Sequence, residues 1–345
     1  MAKQSSTGEG ATEGSRGATR GGASGADERT LATLVLQWRE AGILIAGIVL
    51  LIYFQITTSA FLTWGNIGVL AQFAAATAII AAGEVMVLIT GELDLSVGMV
   101  YALAPFVMYY AHQAGIPLGF AIILALLAAV VVGLVNGLVT VGLRVHSFVT
   151  TLGMLFFVNG FTLTISGGFP VQPQASDFWA AVFGGNIIAQ IIWALLIAGV
   201  MHFVLVKTRW GLHTLAVGGN PTGAAEVGIR TGLIRIGNFI ICSVFGAFAG
   251  VLDAFRIGSI DPLSGGTQIM FMAIASAVIG GTLLSGGSGT VIGALLGAAV
   301  LGILKDGFTI SGVSAYTFDM ILGAAIVITM IINVHLNTLR ARGRA

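Results

Sequence analysis

Long apolar runs recur along the chain from Ala41 onward, and short polar stretches separate them. An α-helix of about 20 residues, rising about 1.5 Å per residue, crosses about 30 Å of hydrocarbon. The alternating strand pattern of a membrane β-barrel is not seen in the sequence. The pattern therefore predicts an all-α polytopic membrane protein. The expected spans are about ten, near residues 41–62, 67–90, 96–112, 118–141, 147–166, 187–206, 236–257, 267–283, 290–304 and 316–336.

Residues 1–40 depart from this pattern. Five positive and five negative charges are spread among glycine, serine, alanine and threonine, with no early apolar core. Such a stretch buries too little apolar area to offset its conformational entropy. It also lacks the apolar segment of a signal peptide. We expect a disordered tail at 1–40, a membrane domain at 41–336 and a short basic tail at 337–345. The balanced charge of the long tail also gives no reason to expect a nucleic-acid partner.

Composition supports a membrane location: 57% of the residues are hydrophobic, 8% are charged and 50 are glycine. Small residues allow membrane helices to pack closely. The pairs Gly133/Gly137, Gly246/Gly250 and Gly293/Gly297 have the spacing for such contacts. The single cysteine, Cys242, excludes a disulfide within the chain and a thiolate metal cluster. We find no pattern of a catalytic triad, metal site or cofactor loop, so no catalytic, metal or cofactor site is predicted.

The basic residues predict an orientation. If the amino-terminal tail lies in the cytoplasm, five positive charges of the tail and eight further ones fall on that side, which is 13 of 15. Only Arg256 and Lys305 then lie outside. This excess follows the positive-inside rule and predicts a multi-pass protein with both termini cytoplasmic.

The loop at 207–235 is longer than a connection between two spans needs. Asn220 can accept hydrogen bonds from the first free amides of a helix, and Pro221 is tolerated at the first helical position. Gly228 can end the helix in a left-handed conformation. We expect a two-turn helix outside the membrane, which is either a surface for a partner or an ordinary capped connection.

Acidic residues within spans are costly unless they face a cavity or a partner. Glu84, Glu92 and Asp94 are the leading candidates. Gly91 and Gly98 are expected to bracket a helix break, and breaks in transporters expose helix ends and free carbonyls to solute. The alternative for Asp94 is a helix cap that accepts backbone amides. On the fifth span, polar side chains form one stripe, which either lines a solute route or bonds back to its own helix. The stripe consists of Thr151, Asn159, Thr162 and Ser166.

Four segments resemble, in order and spacing, the motifs of ribose-type ABC importer permeases. The first is Ile89-Thr90-Gly91-Glu92-Leu93-Asp94-Leu95-Ser96-Val97-Gly98, and the second is Phe148-Val149-Thr150-Thr151-Leu152-Gly153, followed by Ser166-Gly167-Gly168. The third is Gly218-Gly219-Asn220-Pro221 leading to Ala224-Ala225 and Gly228-Ile229. The fourth is Ala273-Ile274-Ala275 to Ile279-Gly280-Gly281-Thr282, then Leu284-Ser285-Gly286-Gly287 and Gly289. Glu92 stands where that family usually has glycine. A ribose specificity therefore does not follow, and the cargo is expected to be a monosaccharide or a similar polyhydroxylated solute.

The resemblance implies a ten-helix type II importer fold in a bacterial inner membrane, surrounded by lipid. It further implies a second copy or a close paralogue, a separate ATP-binding cassette ATPase and an extracytoplasmic solute-binding protein. The implied coupling residues are Gly219, Asn220, Pro221, Ala224, Ala225, Glu226 and Gly228. The pathway residues we expect are Glu84, Glu92, Asp94, Ser96, Thr151, Asn159 and Thr162.

The residues themselves support a separate ATPase. Lys207 is the only lysine followed by threonine, and Val206 precedes it where a P-loop requires glycine. The chain is therefore not expected to be an enzyme. The alternative is an ion-coupled secondary transporter, in which Glu84, Glu92 and Asp94 would take up protons or sodium.

Overall fold

The computed structural model describes residues 40–174, 176–263, 265–314, 317, 319–324, 327, 328 and 331. We name twelve helices in this part of the chain. They are α1 (Ala41–Thr57), α2 (Trp64–Ile89), α3 (Val97–Gln113), α4 (Leu118–Gly142), α5 (Ser147–Ser166), α6 (Asp177–Phe183), α7 (Ile187–Lys207), α8 (Arg209–Gly219), α9 (Pro221–Glu226), α10 (Thr231–Ile257), α11 (Gly266–Ile279) and α12 (Val291–Ile310). The expected tails at 1–40 and 337–345 lie outside the described residues, apart from Glu40.

Nine of the ten expected spans each coincide with one helix, and the tenth, at 316–336, lies largely outside the described residues. Among the described residues, six helices are long and apolar enough to cross a membrane, namely α2, α4, α5, α7, α10 and α12. Helices α1 and α11 are apolar but shorter. The prediction of an all-α polytopic membrane protein is confirmed.

Several boundaries differ from the expectation: the first span ends at Thr57 rather than at 62, and the seventh begins at Thr231 rather than at 236. The segment before Asn220 forms α8 rather than a loop, and the Thr208 side chain caps its start by accepting from the Gly211 amide. Trp210 attaches α8 to α10 by a hydrogen bond to Asn238. Helix α12 continues to Ile310, so Lys305 lies inside a helix, where its ammonium nitrogen is 4.5 Å from the centre of the Phe73 ring. The expected span at 267–283 stops at Ile279 because a turn follows it.

Close backbone contacts at glycines hold the long helices together. All three predicted glycine pairs lie at such contacts. At each of these six glycines, a methyl group in place of an α-hydrogen would lie within 2.7 Å of an atom in the neighbouring segment. Gly133 and Gly137 contact α10, Gly246 and Gly250 contact α3, and Gly293 and Gly297 contact Gly280 and Ser276 at the end of α11.

Successive long helices run in opposite directions, which gives the molecule two ends. We call the end that carries α8, α9 and the start of α10 the α9 side. The end that carries α6 and the last turn of α10 is the α6 side. Residues of the candidate site lie at both ends.

Candidate functional site

Three glycine-containing segments meet on the α9 side. Gly218, near the end of α8, is so close to the end of α2 that a methyl group there would lie 1.6 Å from the Ile89 carbonyl oxygen. The Gly287 amide donates a hydrogen bond of 2.8 Å to that oxygen. A methyl group at Gly286 would lie 2.9 Å from the Gly91 nitrogen. We call this group, Ile89, Gly91, Gly218, Gly286 and Gly287, the glycine junction.

The short helix α9 begins as the sequence predicts. The Asn220 side chain accepts a hydrogen bond of 2.9 Å from the Gly223 amide, and Pro221 occupies the first helical position. Gly228 has a φ of +86°, the left-handed conformation expected after the helix. These two features of the local prediction are confirmed.

Helix α9 has one buried and one exposed face. Ala224 is buried and belongs to an apolar cluster with Val217 and Ile234. Ala225 and Glu226 are exposed, and Val227, just beyond the helix, is 78% exposed. An exposed valine next to a short, capped helix is a suitable surface for a partner protein.

A buried asparagine connects α8 to two membrane helices. The Trp210 indole nitrogen donates to the Asn238 amide oxygen at 2.8 Å. The Asn238 amide nitrogen donates to the Met86 carbonyl at 3.0 Å and to the Thr214 hydroxyl at 3.3 Å. This one side chain on α10 therefore ties α8 to the last turns of α2.

The helix break occurs at residues 90–96, and several of its backbone amides are hydrogen-bonded. Gly91 and Glu92 donate their amides to carbonyls in the last turn of α2, at 2.9 and 3.3 Å. Asp94 accepts from the Ser96 amide at 2.9 Å and from its hydroxyl at 2.6 Å, as the capping alternative requires. Of the carbonyls in the break, that of Leu93 accepts from the Thr151 hydroxyl at 3.2 Å and that of Ser96 accepts from the Met99 amide at 2.9 Å.

The acidic residues near the break have different surroundings. Glu84 is fully buried in α2, and neither of its carboxylate oxygens has a hydrogen-bond partner among the described residues. Glu92 forms an ion pair of 3.3 Å with Arg235 and lines a cavity on the α9 side. Glu84 and Glu92 therefore do not face one cavity, because the chain leaves the helical path after Ile89.

The polar stripe on α5 is mostly bonded to its own helix. Thr151 and Thr162 are buried, and each hydroxyl donates at 2.8 Å to the carbonyl four residues earlier. The Ser166 hydroxyl donates to the Leu163 carbonyl at 3.3 Å. Asn159 differs, because it lines a cavity of about 340 Å³.

A cavity of about 330 Å³ lies on the α6 side, and we call it the Asp253 cavity. Five helices contribute to its lining, although these residues are distant in sequence. Besides Asp253, the side chains that matter here are Phe73, Thr77, Tyr101, Arg256, Gln268 and Lys305.

Asp253 organises this cavity. Its carboxylate accepts hydrogen bonds from the Tyr101 hydroxyl at 2.6 Å, the Gln190 amide at 3.1 Å and the Arg256 Nε at 2.6 Å. Asp253 and Arg256, one helical turn apart in the sequence, therefore form an ion pair. The Arg256 guanidinium carbon lies 5.5 Å from the centre of the Phe73 ring, close enough for a cation–π interaction.

Sequence reasoning missed most of this cavity. Only Asp253 and Arg256, one turn apart on the same helix, have a spacing that relates them. Tyr101, Gln268 and Lys305 come from three other helices, and no sequence spacing brings them together. Among the described residues, no group of three histidine, cysteine or acidic side chains could hold a metal ion.

The chain is similar to known transport proteins along most of its length. A family model for the permease component of branched-chain amino acid transport systems matches residues 66–330. The xylose/arabinose import permease protein XylH of Sulfolobus acidocaldarius is 36% identical over 304 residues, which cover 85% of this chain and 84% of that protein.

Two further relatives have similar coverage. The ribose import permease protein RbsC of Escherichia coli is 31% identical over 84% of this chain and 91% of its own. The autoinducer 2 import system permease protein LsrC of Salmonella typhi is 33% identical over 83% of this chain and 82% of its own. No solved structure matches the chain significantly. The chain belongs to the family of transport-system permease components that this model describes, as the resemblance in its four motifs predicts.

Proposed function

We propose that this chain is the membrane-spanning subunit of an ABC importer and that its cargo is a monosaccharide or a similar polyhydroxylated solute. The observation that carries the proposal is the glycine junction beneath the exposed helix α9. A self-sufficient carrier has no need for a capped helix that presents an outward face and packs directly on the ends of membrane segments.

The coupling mechanism follows from these contacts. An ATPase subunit that binds the exposed face of α9 displaces α8 and α9 together. At Gly218 the neighbouring backbones touch, so no side chain can absorb the displacement, and protein interiors are densely packed. The motion therefore reaches the end of α2 and the turn after α11. We assign the coupling role to Gly219, Asn220, Pro221, Ala224, Ala225, Glu226 and Gly228.

The distribution of charge supports the orientation. Arg144, Lys207, Arg209, Arg230 and Arg235 all lie on the α9 side, at or near helix ends. By the positive-inside rule this side is the cytoplasmic one, in a bacterial inner membrane. The α6 side then faces an extracytoplasmic solute-binding protein, and a second copy or a paralogue completes the transporter.

The Asp253 cavity is the best candidate for a site that receives the cargo. Only the Nε group of Arg256 is engaged by Asp253, so the remaining guanidinium N–H groups, with the Lys305 ammonium and the Gln268 amide, can bond sugar hydroxyls. The cavity lined by Asn159 shares Gly265 and Gln268 with it and extends the route. The names of the relatives, which import pentoses among other solutes, support this class of cargo.

The pathway residues expected from the sequence receive different roles in this proposal. Asn159 lies on the route. Asp94, Ser96, Thr151 and Thr162 hold the break and α5 in place through the hydrogen bonds described above. Glu84 is part of the buried interior. The secondary-transporter alternative is disfavoured because Glu92 is already paired with Arg235.

The coupling proposal is tested by reconstituting the chain in proteoliposomes with its ATPase and binding protein and measuring the uptake of labelled D-xylose and D-ribose. We expect ATP-dependent uptake from the wild-type chain. Glu226→Arg should abolish uptake and ATPase co-purification while membrane insertion persists, and Glu226→Gln should retain most of both. Uptake driven by a proton gradient without an ATPase would contradict the proposal.

The orientation is tested separately with Val227→Cys. The native Cys242 is completely buried, so it adds little background to labelling. A membrane-impermeant maleimide should label Val227→Cys in inside-out vesicles and not in intact spheroplasts. The reverse pattern would place α9 outside.

A further inference from the structure

A second polar cavity, of about 490 Å³, lies on the α9 side. It is bounded by the end of α4, the starts of α5 and α10, and the break at 90–96. We call it the Arg235 cavity. Its polar side chains are Glu92, Thr140, Arg144, His146, Thr231 and Arg235.

The cavity has an excess of positive charge. Glu92 is paired with Arg235 at 3.3 Å. Arg144 is exposed, and within the described part of the chain it has no ion-pair partner. Two guanidinium groups therefore face one carboxylate. A planar guanidinium binds phosphate oxygens in a bidentate manner, so an anion with several oxygens is the chemical class that this lining favours.

Two buried polar atoms are unpartnered here. Thr140 is only 7% exposed, and its hydroxyl has no hydrogen-bond partner among the described residues. The Arg235 Nε is also buried without one. Such groups are costly in a low-dielectric region unless a ligand or water satisfies them. The Nε can only donate and the hydroxyl can donate as well as accept, so an acceptor-rich ligand would satisfy both.

The surroundings identify the source of the anion. Helices α4, α5 and α10 are all candidate membrane spans, and the cavity lies where they end. Beside it, Leu143 is 72% exposed and Val149 is 58% exposed. Exposed aliphatic side chains next to a basic cavity fit acyl chains attached to a headgroup, whereas a soluble anion would have no use for them.

We propose that the Arg235 cavity binds the phosphate headgroup of an anionic phospholipid. Arg144 and Arg235 contact the phosphate oxygens, and the Thr140 hydroxyl donates a further hydrogen bond. Glu92 orients Arg235 through their ion pair, so it is a positioning residue. If the α9 side is cytoplasmic, as proposed above, the lipid belongs to the inner leaflet, where basic pockets between helices recognise such headgroups.

The site is tested by native mass spectrometry of the purified, delipidated full chain titrated with dioctanoyl phosphatidylglycerol. Dioctanoyl phosphatidylcholine serves as the zwitterionic comparison, and glycerol 1-phosphate as the soluble one. We expect phosphatidylglycerol to bind, and Arg144→Gln to weaken it about tenfold, as loss of one charge-assisted hydrogen bond predicts. Thr140→Val should weaken it about fivefold. Arg230→Gln is the matched control, because Arg230 is also an exposed arginine on this side but does not line the cavity.

Each outcome is decisive. Selective loss in Arg144→Gln and Thr140→Val, with Arg230→Gln unchanged, supports the site. Equal binding of phosphatidylcholine, or equal loss in the Arg230→Gln control, would overturn it. Displacement by glycerol 1-phosphate at similar concentration would show a soluble anion as the ligand and overturn the lipid assignment. None of these readouts requires transport, so the result is independent of the proposed importer function.

Discussion

The glycine junction is formed by backbone atoms, whereas the Asp253 cavity is formed largely by side chains. At the junction, backbone contacts backbone, and at Gly218 there is no space for even one methyl group. In the cavity, long polar side chains from five helices surround about 330 Å³ of space. The junction can therefore transmit displacement but offers little chemistry, whereas the cavity offers hydrogen bonds that changes of side chain can adjust. The comparison therefore assigns the transmission of motion to the junction and the selection of the solute to the cavity.

The most severe test of this difference is Gly218→Ala. The added methyl would lie 1.6 Å from the Ile89 carbonyl oxygen, so the backbones must separate. We expect ATP-dependent uptake to be lost and the chain to be destabilised by about 1–3 kcal/mol, as overpacking typically causes. Gly199→Ala on α7 is the matched control, because Gly199 is also helical and a methyl there has nothing within 4 Å. Uptake and thermal denaturation of both variants measure the effect. Normal uptake by the Gly218→Ala chain would show that the junction accommodates the added methyl group.

In the cavity the largest effect is expected from Asp253→Asn. This change removes the negative charge that pairs with Arg256. It also weakens the hydrogen bonds that the side chain accepts from three donors. Because charge-assisted hydrogen bonds are lost, we expect the free energy of unfolding to fall by about 1.5–3 kcal/mol. The uptake rate should fall by at least about tenfold. Asp261→Asn provides the control, since Asp261 is exposed at the same end and its carboxylate accepts from the nearby Leu263 amide. Similar losses of uptake in both variants would show that Asp253 has no particular role in the cavity.

Asn238→Ala tests the connection between α8 and the membrane helices. It leaves the Trp210 indole N–H and the Met86 carbonyl without their partner. Each unsatisfied buried group costs about 1–3 kcal/mol. We expect a lower midpoint of thermal denaturation and a few-fold lower uptake per ATP hydrolysed. Trp210→Phe removes only one of these bonds and should have the smaller effect, and the opposite order would argue that Asn238 does not connect the segments.

The smallest effects are expected on α5, where two polar residues are predicted to behave differently. Asn159→Ala should raise the KM for the cargo about fivefold, because Asn159 lines a cavity and one hydrogen bond is lost. Thr162→Val should leave KM unchanged, since its hydroxyl bonds to its own helix. Uptake measured over a range of cargo concentrations distinguishes them. A larger change for Thr162→Val would restore the whole stripe as a solute route.

The junction was largely predictable from the sequence, and the cavity was not. Asn220, Pro221 and Gly228 are local signals, because a helix cap depends on residues within a few positions of one another. The glycine segments at 89–98, 218–229 and 279–287 matched family motifs, although their meeting point could not be derived from any one of them. Tyr101, Gln190 and Lys305 had no such local signal, since their partners lie on other helices.

The break at 90–96 shows a different limit of sequence reasoning. Its position was correctly expected, but the hydrogen-bond partners of its backbone could not be derived. Carboxylates and glycines between two apolar runs indicate that a helix stops, whereas the fate of each carbonyl depends on the exact path of the next few residues. Here Gly91 and Glu92 turn back toward α2, and Asp94 bonds to Ser96. These bonds satisfy amides of the segment, and its Leu93 carbonyl accepts from the Thr151 hydroxyl on α5.

The Phe73 ring has a consequence for how the α6 side can open. Arg256 on α10 and Lys305 on α12 both lie within cation–π distance of this one ring on α2. A ring face attracts each cation, while the two cations repel each other. Spreading α10 and α12 apart withdraws at least one cation from the aromatic face and at the same time relieves the repulsion. The observed arrangement thus reflects two opposing forces, and a solute oxygen that replaces the ring as partner to one cation would shift their balance toward separation of the two helices.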